Sequence, residues 1–208
     1  MDELHALVLA GGSGSRFGGQ KLLAPWGAGH LMHAALDAAA QAPVTGITVV
    51  TGAEAEGLVA SCGEWARRAG ETRLRMIHAV HHREGMAASL RAGIDAVPPS
   101  AVGCFVILGD MPRLPAEVLS QLPEALGGNR LAAAPVCQGR RGHPVLISRR
   151  LFPQILALEG DRGAKFVLDQ LGDRLGLVQT SDDGVLFDVD RVEDLERSLA
   201  GPATQERA

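Results

Sequence analysis

Short, unbroken apolar runs alternate along the chain with longer stretches in which apolar residues recur at helical spacing. The runs at 4–10, 47–51, 74–80, 104–108, 131–137, 144–148 and 175–180 predict strands. They are continuous rather than alternating, as strands covered on both faces are. Helical patterns fall between them at 30–42, 54–69, 86–96, 115–126, 149–158, 162–171 and 191–199. Strands and helices in this alternation predict a mostly parallel sheet with helices on both faces. Such folds bind ligands beyond the carboxyl ends of their strands. Gly11 and Asp110 each follow a predicted strand, so their segments are expected to converge on one edge.

The 208 residues fit a single domain over 1–199, and the polar stretch 200–208 reads as a disordered tail. No internal repeat is evident. A net charge of −4 and no basic block argue against nucleic acid as a partner. No apolar run reaches eighteen residues, so no membrane span is expected. The start at Met1-Asp2-Glu3-Leu4-His5 lacks the basic segment of a signal peptide, and a cytoplasmic protein is expected. Cys62, Cys104 and Cys137 are odd in number and far apart, which fits buried thiols rather than a disulfide framework or zinc site.

The chemistry concentrates after the first strand. Leu9-Ala10 runs into Gly11-Gly12-Ser13-Gly14-Ser15-Arg16-Phe17-Gly18-Gly19-Gln20-Lys21, a loop with five glycines, one Arg and one Lys. Glycines let backbone N–H groups approach an anion closely. Arg16 supplies a fork for phosphate oxygens and Lys21 a point charge. The loop is not a dinucleotide fingerprint, because the third glycine position falls on Phe17. Nor is it a Walker loop, because Lys21 is followed by Leu22 rather than a hydroxyl residue.

Four further segments carry candidate groups. Asp110, in Leu108-Gly109-Asp110-Met111-Pro112, closes a strand where a magnesium ion facing phosphates needs a carboxylate; its competing role is to cap a turn. Gly85-Met86-Ala87-Ala88-Ser89 opens a helix with small residues, and Ser89 is placed to hydrogen-bond a nucleotide. Arg140-Arg141-Gly142-His143-Pro144 and the stretch from Asp161 to Lys165 are polar, and Arg141, His143 and Lys165 are candidates for an acceptor phosphate. His143 reads as a hydrogen-bond donor rather than a base, and His81-His82 as two strand residues facing opposite ways. Asp161 and Asp190 read as helix N-caps, the latter with Glu193 three residues on. That leaves Asp188 as the second magnesium candidate, with Asp190 the alternative.

Taken in order, the glycine loop through Lys21, GMAASL, LGDMP, RGHPV, GDRGAK and DVDRVEDL resemble the cytidylyltransferase branch of the molybdopterin-guanine-dinucleotide synthase-like nucleotidyltransferases. The resemblance runs from Leu9 to Leu195. It implies a Rossmann-like three-layer α/β/α sandwich of the nucleotide-diphospho-sugar transferase type. It also implies Mg2+-dependent transfer of CMP from CTP to molybdopterin cofactor with release of pyrophosphate, and a molybdenum hydroxylase as a possible partner. The triphosphate would lie on residues 9–16 and Lys21, with Asp110 carrying magnesium.

Leu9-Ala10-Gly11-Gly12 is the form usual in the guanylyl branch, so GTP stands as the alternative nucleotide. Gln20, where guanylyl enzymes tend to have Asp, together with RGHPV and GDRGAK, favours CTP. Arg191-Val192 and Lys165 depart from the usual Thr-Pro and Arg, and the stretch before Gly85 lacks the family's Asn and aromatic residue. Other readings are another phosphorylated acceptor, a non-catalytic nucleotide-binding regulator or chaperone of a molybdoenzyme, and a dinucleotide-dependent oxidoreductase.

Overall fold

A computed structural model describes residues 3–12, 16–53, 55–160 and 163–199. The first strand, β1 (Leu4–Ala10), lies inside an eight-stranded sheet among the described residues. It pairs in parallel with β4 (Gly46–Thr51) on one side and β6 (Gly103–Leu108) on the other. Beyond β4 lies β5 (Leu74–His78), also parallel. Beyond β6 the order is β9 (Val145–Ser148), β7 (Ala132–Cys137) and β10 (Leu175–Gln179), with β9 antiparallel to both neighbours. A two-residue strand β8 (Arg140–Arg141) folds back on β7, and a separate hairpin joins β2 (Pro25–Trp26) to β3 (Gly29–His30). These last three strands are too short to show in an apolar pattern.

Alternate residues of β1 serve different layers, which is why its sequence is apolar throughout. Ala6, Val8 and Ala10 pack with α1 (Leu31–Gln41), α2 (Ala55–Ala69) and α4 (Ala116–Ala125). Leu7 faces α3 (Met86–Asp95), α5 (Phe152–Leu156) and α6 (Ala164–Leu168) on the other side. The result is the three-layer sandwich of a mostly parallel sheet. The helix expected over 149–158 opens as a 3-10 turn, Arg149–Leu151, before α5. Pro153, which has no N–H to donate, is accepted in the first turn of α5, where that N–H lacks an intrahelical partner anyway. The helix expected over 162–171 is confined to α6 between Gly163 and a second 3-10 turn at Gly172–Arg174. The last helix, α7 (Val192–Leu199), starts one residue later than expected.

At the far end of β1 from the glycine loop, His5 is buried and its Nε2 lies 2.8 Å from Thr48 Oγ1. Burial, and then the charge of Arg75, push its pKa down to about 4. All three cysteines are free and buried, and burial raises the Cys62 thiol to about 12. No helix among the described residues is long and apolar enough to cross a membrane.

Candidate active site

Parallel pairing carries the two chemical segments to the same edge. Leu9 sits beside Leu108 in register, and Gly109 N–H donates to Leu9 O at 3.0 Å. The ladder thus runs one step past the strands and delivers Asp110 next to Gly11. Gly11 is also where α3 arrives: a methyl group at this position would run into Ser89 Oγ. The close packing of loop and helix therefore favours glycine at 11, since any larger residue would have to displace the Ser89 side chain. A methyl group at Gly12, by contrast, would meet nothing within 4 Å, and this residue stands open to the cleft.

Between these elements lies a cavity of about 750 Å³ lined by Leu9, Gly11, Gly12, Arg16, Ser89 and Asp110, among others. Ala10, one residue along from Leu9, is turned into the core. Ser13, Gly14, Ser15 and Asp161 lie outside the described residues, so their expected roles have no counterpart here. Lys21 follows the loop in a short 3-10 turn, and its Nζ donates to Asp110 Oδ2 at 2.7 Å and to Asp190 Oδ1 at 3.4 Å. Arg16 pairs with Asp190 Oδ2 at 3.2 Å. The Lys21–Asp110 pair is mostly shielded, whereas Asp190 is about half exposed and Arg16 largely so. The shielded pair is the stronger, since solvent screens the outer one.

Asp190 corrects the expectation of an N-cap. Its carboxylate is taken up by Lys21 and Arg16, and the start of α7 is closed instead by Asp194, whose Oδ2 accepts from Arg191 N–H at 2.9 Å and Asp190 N–H at 3.2 Å. A charged loop 169 or more residues away in sequence outcompetes local capping for this carboxylate. The segment is anchored by Val189, fully buried, whose N–H donates to Asp110 O at 3.0 Å. Asp188 is solvent-exposed, and its pKa is raised first by partial loss of hydration, then by the charges of Asp110 and Asp190. Among the described residues no three His, Cys, Asp or Glu side chains gather as a metal-holding group. Asp110, with Asp188 or Asp190 as the second carboxylate, could offer the one or two hard oxygen donors that magnesium takes when phosphates complete its shell.

A second cavity of about 590 Å³ adjoins the first and shares Leu9, Met86 and Leu108 with it. Arg140, Arg141, His143, Lys165 and Asp169 line it, so the acceptor candidates from two separate segments meet in one place. The tight β7–β8 turn, with Gln138 and Gly139 both at positive φ, turns Arg140 and Arg141 back along β7. Arg141 is fixed by Asp169 at 2.5 Å. Burial lowers the pKa of His143 more than the Val106 backbone and Asp110 raise it, and its buried Nδ1 has no hydrogen-bond partner.

His82 and Arg83 also line the first cavity, which the expectation of a strand through His81-His82 missed. β5 ends at His78, and His82–Glu84 form a 3-10 turn that leads to Gly85, at φ +109°, and so to α3. The signal present in the sequence was the position: a polar stretch between the end of a parallel strand and a helix of small residues.

Comparison with known proteins agrees with this geometry. The chain is 26% identical over 194 residues to the molybdenum cofactor cytidylyltransferase of Escherichia coli K12, covering 93% of this chain and 94% of that protein. It is 29% identical over 201 residues to nicotine blue oxidoreductase of Paenarthrobacter nicotinovorans, covering 93% and 95%. The crystal structure of Rv0371c from Mycobacterium tuberculosis H37Rv superposes with a TM-score of 0.81 at 27% identity, covering 96% of this chain and 98% of that one. A manganese complex of the same mycobacterial protein gives 0.78 at 26% identity, with the same coverage. The family model of the MobA-like NTP transferase domain matches residues 6–175. Because that match spans most of the sequence, the chain belongs to the MobA-like NTP transferase family and is a nucleotidyltransferase.

Proposed function

We propose that the chain transfers CMP from CTP to the phosphate of a molybdopterin-type acceptor and releases pyrophosphate. The observation that carries this reading is the Lys21–Asp110 pair at 2.7 Å, set where the glycine loop meets the end of β6 and next to the cavity holding Arg141, His143 and Lys165. A phosphate oxygen of the acceptor attacks the α-phosphorus; the bond from that phosphorus to the β-phosphate oxygen breaks, and its electrons leave with pyrophosphate. The acceptor phosphate is already ionised at neutral pH, so the step needs positioning and charge neutralisation rather than a general base.

Arg16, Lys21 and the amides of Gly11 and Gly12 are suited to hold the charge that grows on the leaving pyrophosphate. Ser89, beside Gly11, is suited to hydrogen-bond the nucleotide. Arg141 and Lys165 would draw the acceptor phosphate, and His143 would orient it. A divalent cation, held by Asp110 and Asp188, would supply charge neutralisation between phosphate oxygens. Magnesium is the ion we favour, and the manganese complex of the mycobacterial relative supports a divalent site on this scaffold. The similarity to a cytidylyltransferase supports CTP, while Gly12 keeps GTP as the alternative. We place the protein in the cytoplasm and name a molybdenum hydroxylase as the recipient of the product. The oxidoreductase among its relatives makes hydride transfer a second reading.

The test is pyrophosphate release from purified molybdenum cofactor with Mg2+ and CTP, GTP, ATP or UTP supplied singly. Release with CTP alone is the expected result. A preference for GTP moves the reading to guanylyl transfer. Silence with all four, together with oxidation of NADH or NADPH by a dye substrate, would replace it with redox chemistry.

A further inference from the structure

Three residues after Asp110 the chain carries Arg113, a cation that lines neither cavity. Its guanidinium lies over the Phe187 ring, 5.0 Å from the centroid, and pairs with Asp183 at 2.8 Å. Asp183 is largely exposed, so water screens that pair, and the stack on Phe187 is the better shielded contact. The backbones meet as well, since a methyl group at Gly184 would run into Arg113 O. Arg113 thus grips the stretch that follows β10, from the 3-10 turn Asp183–Leu186 to Phe187. That stretch is tied to both halves of the cleft. Val185 O accepts from His143 N–H at 2.8 Å, and Val189 N–H donates to Asp110 O at 3.0 Å. Asp188 and Asp190 flank Val189, directly after the ring that Arg113 covers.

We propose that Arg113 is a positioning residue: by clasping Phe187 and Asp183 it sets the carboxylates of the 188–190 stretch at the spacing from Asp110 that a shared divalent cation needs. This rests on the reading of Asp110 and that stretch as the metal-holding groups. Arg113 touches neither nucleotide nor metal in this assignment. By charge alone, a guanidinium on this segment weakens the hold on a divalent ion, so geometry is the contribution left to it. Without the clasp, the bonds of Val185 and Val189 still hold the backbone down. The fold then persists, while the carboxylates are free to turn away from Asp110.

The experiment is titration of Mn2+ alone into the whole chain, with bound ion counted by electron paramagnetic resonance and the thermal midpoint read alongside. The parent is expected to bind one Mn2+ and Asp110→Ala to lose it. Arg113→Ala is expected to bind about tenfold more weakly, the low end for groups that orient metal ligands. Arg113→Lys keeps a cation for the Phe187 ring and for Asp183, and is expected to stay within about threefold of the parent. Phe187→Leu removes the ring without altering charge; it is expected to weaken binding in the same direction and stands in if Arg113→Ala folds poorly. Loss of a positive charge by itself would tighten binding. Unchanged or tighter Mn2+ in Arg113→Ala therefore overturns the proposal, as does a lower midpoint with parent-like affinity. If the parent binds no Mn2+, or Asp110→Ala binds it equally well, the metal reading falls first and this inference with it. With both controls met, a parent-like Arg113→Ala counts against this inference alone.

Discussion

The two halves of the cleft are built in different ways. The half around Gly11, Arg16, Lys21 and Asp110 comes from two segments that adjacent parallel strands, β1 and β6, deliver side by side. The half around Arg141, His143 and Lys165 is gathered from a β-turn, the strand it leads into and the start of a short helix, none of which pairs with β1. The first half is dense with glycine and tolerates little added bulk at Gly11. The second is a basic pocket in which Arg141 is tied to the exposed carboxylate of Asp169. The comparison teaches that a site carried by neighbouring strands is set by the sheet itself. One assembled from loops depends on pairs at the surface.

The sharpest way to break this comparison is to remove the carboxylate at the end of β6. Asp110→Ala is expected to lower turnover roughly a thousandfold or more while the thermal midpoint stays near the parent's. A parent-like rate would remove Asp110 from the mechanism. Acidification should strike both halves together, because both are carried by the same sheet, in which β1 is a central strand. His5 binds a proton in the unfolded chain near its ordinary value of 6.5 but in the fold only near 4. Its contribution is complete above pH 6.5 and is lost as pH falls toward 4, amounting to at most ~3 kcal/mol. Denaturant midpoints across that range, with His5→Gln flattening the dependence, check this. A curve equally steep in His5→Gln would assign the acid sensitivity elsewhere.

Smaller changes separate the halves. Gly11→Ala forces a methyl group onto Ser89 and is expected to cost about 1–3 kcal/mol, read by chemical denaturation. Arg141→Ala is expected to raise the KM for the acceptor about tenfold and to leave that for the nucleotide unchanged. A matching rise in both would join the two cavities into one binding unit. Gly12→Ala has open space for its methyl group and should change stability by no more than about 0.5 kcal/mol. Its effect belongs in the ratio of CTP to GTP use, and an unchanged ratio would free Gly12 from any part in base choice.

The order of strands and helices, and the loop from Leu9 to Lys21, were legible because each rests on local chemistry. Continuous apolar runs of this length between helical patterns fit strands covered on both sides, and five glycines with Arg16 and Lys21 in eleven residues mark a candidate anion site. Asp190 shows the limit. Its spacing to Glu193 satisfies a capping rule, yet its carboxylate faces Lys21 and Arg16, and Asp194 does the capping. His82 and Arg83 were obscured in the same way, since β5 stops at His78 and the turn that follows aims them at the cavity. Periodicity and capping are properties of a few consecutive residues, so the chain spells them out directly. Which carboxylate meets which cation across 89 or 174 residues depends on strand order and register, and those are fixed only when the whole sheet packs.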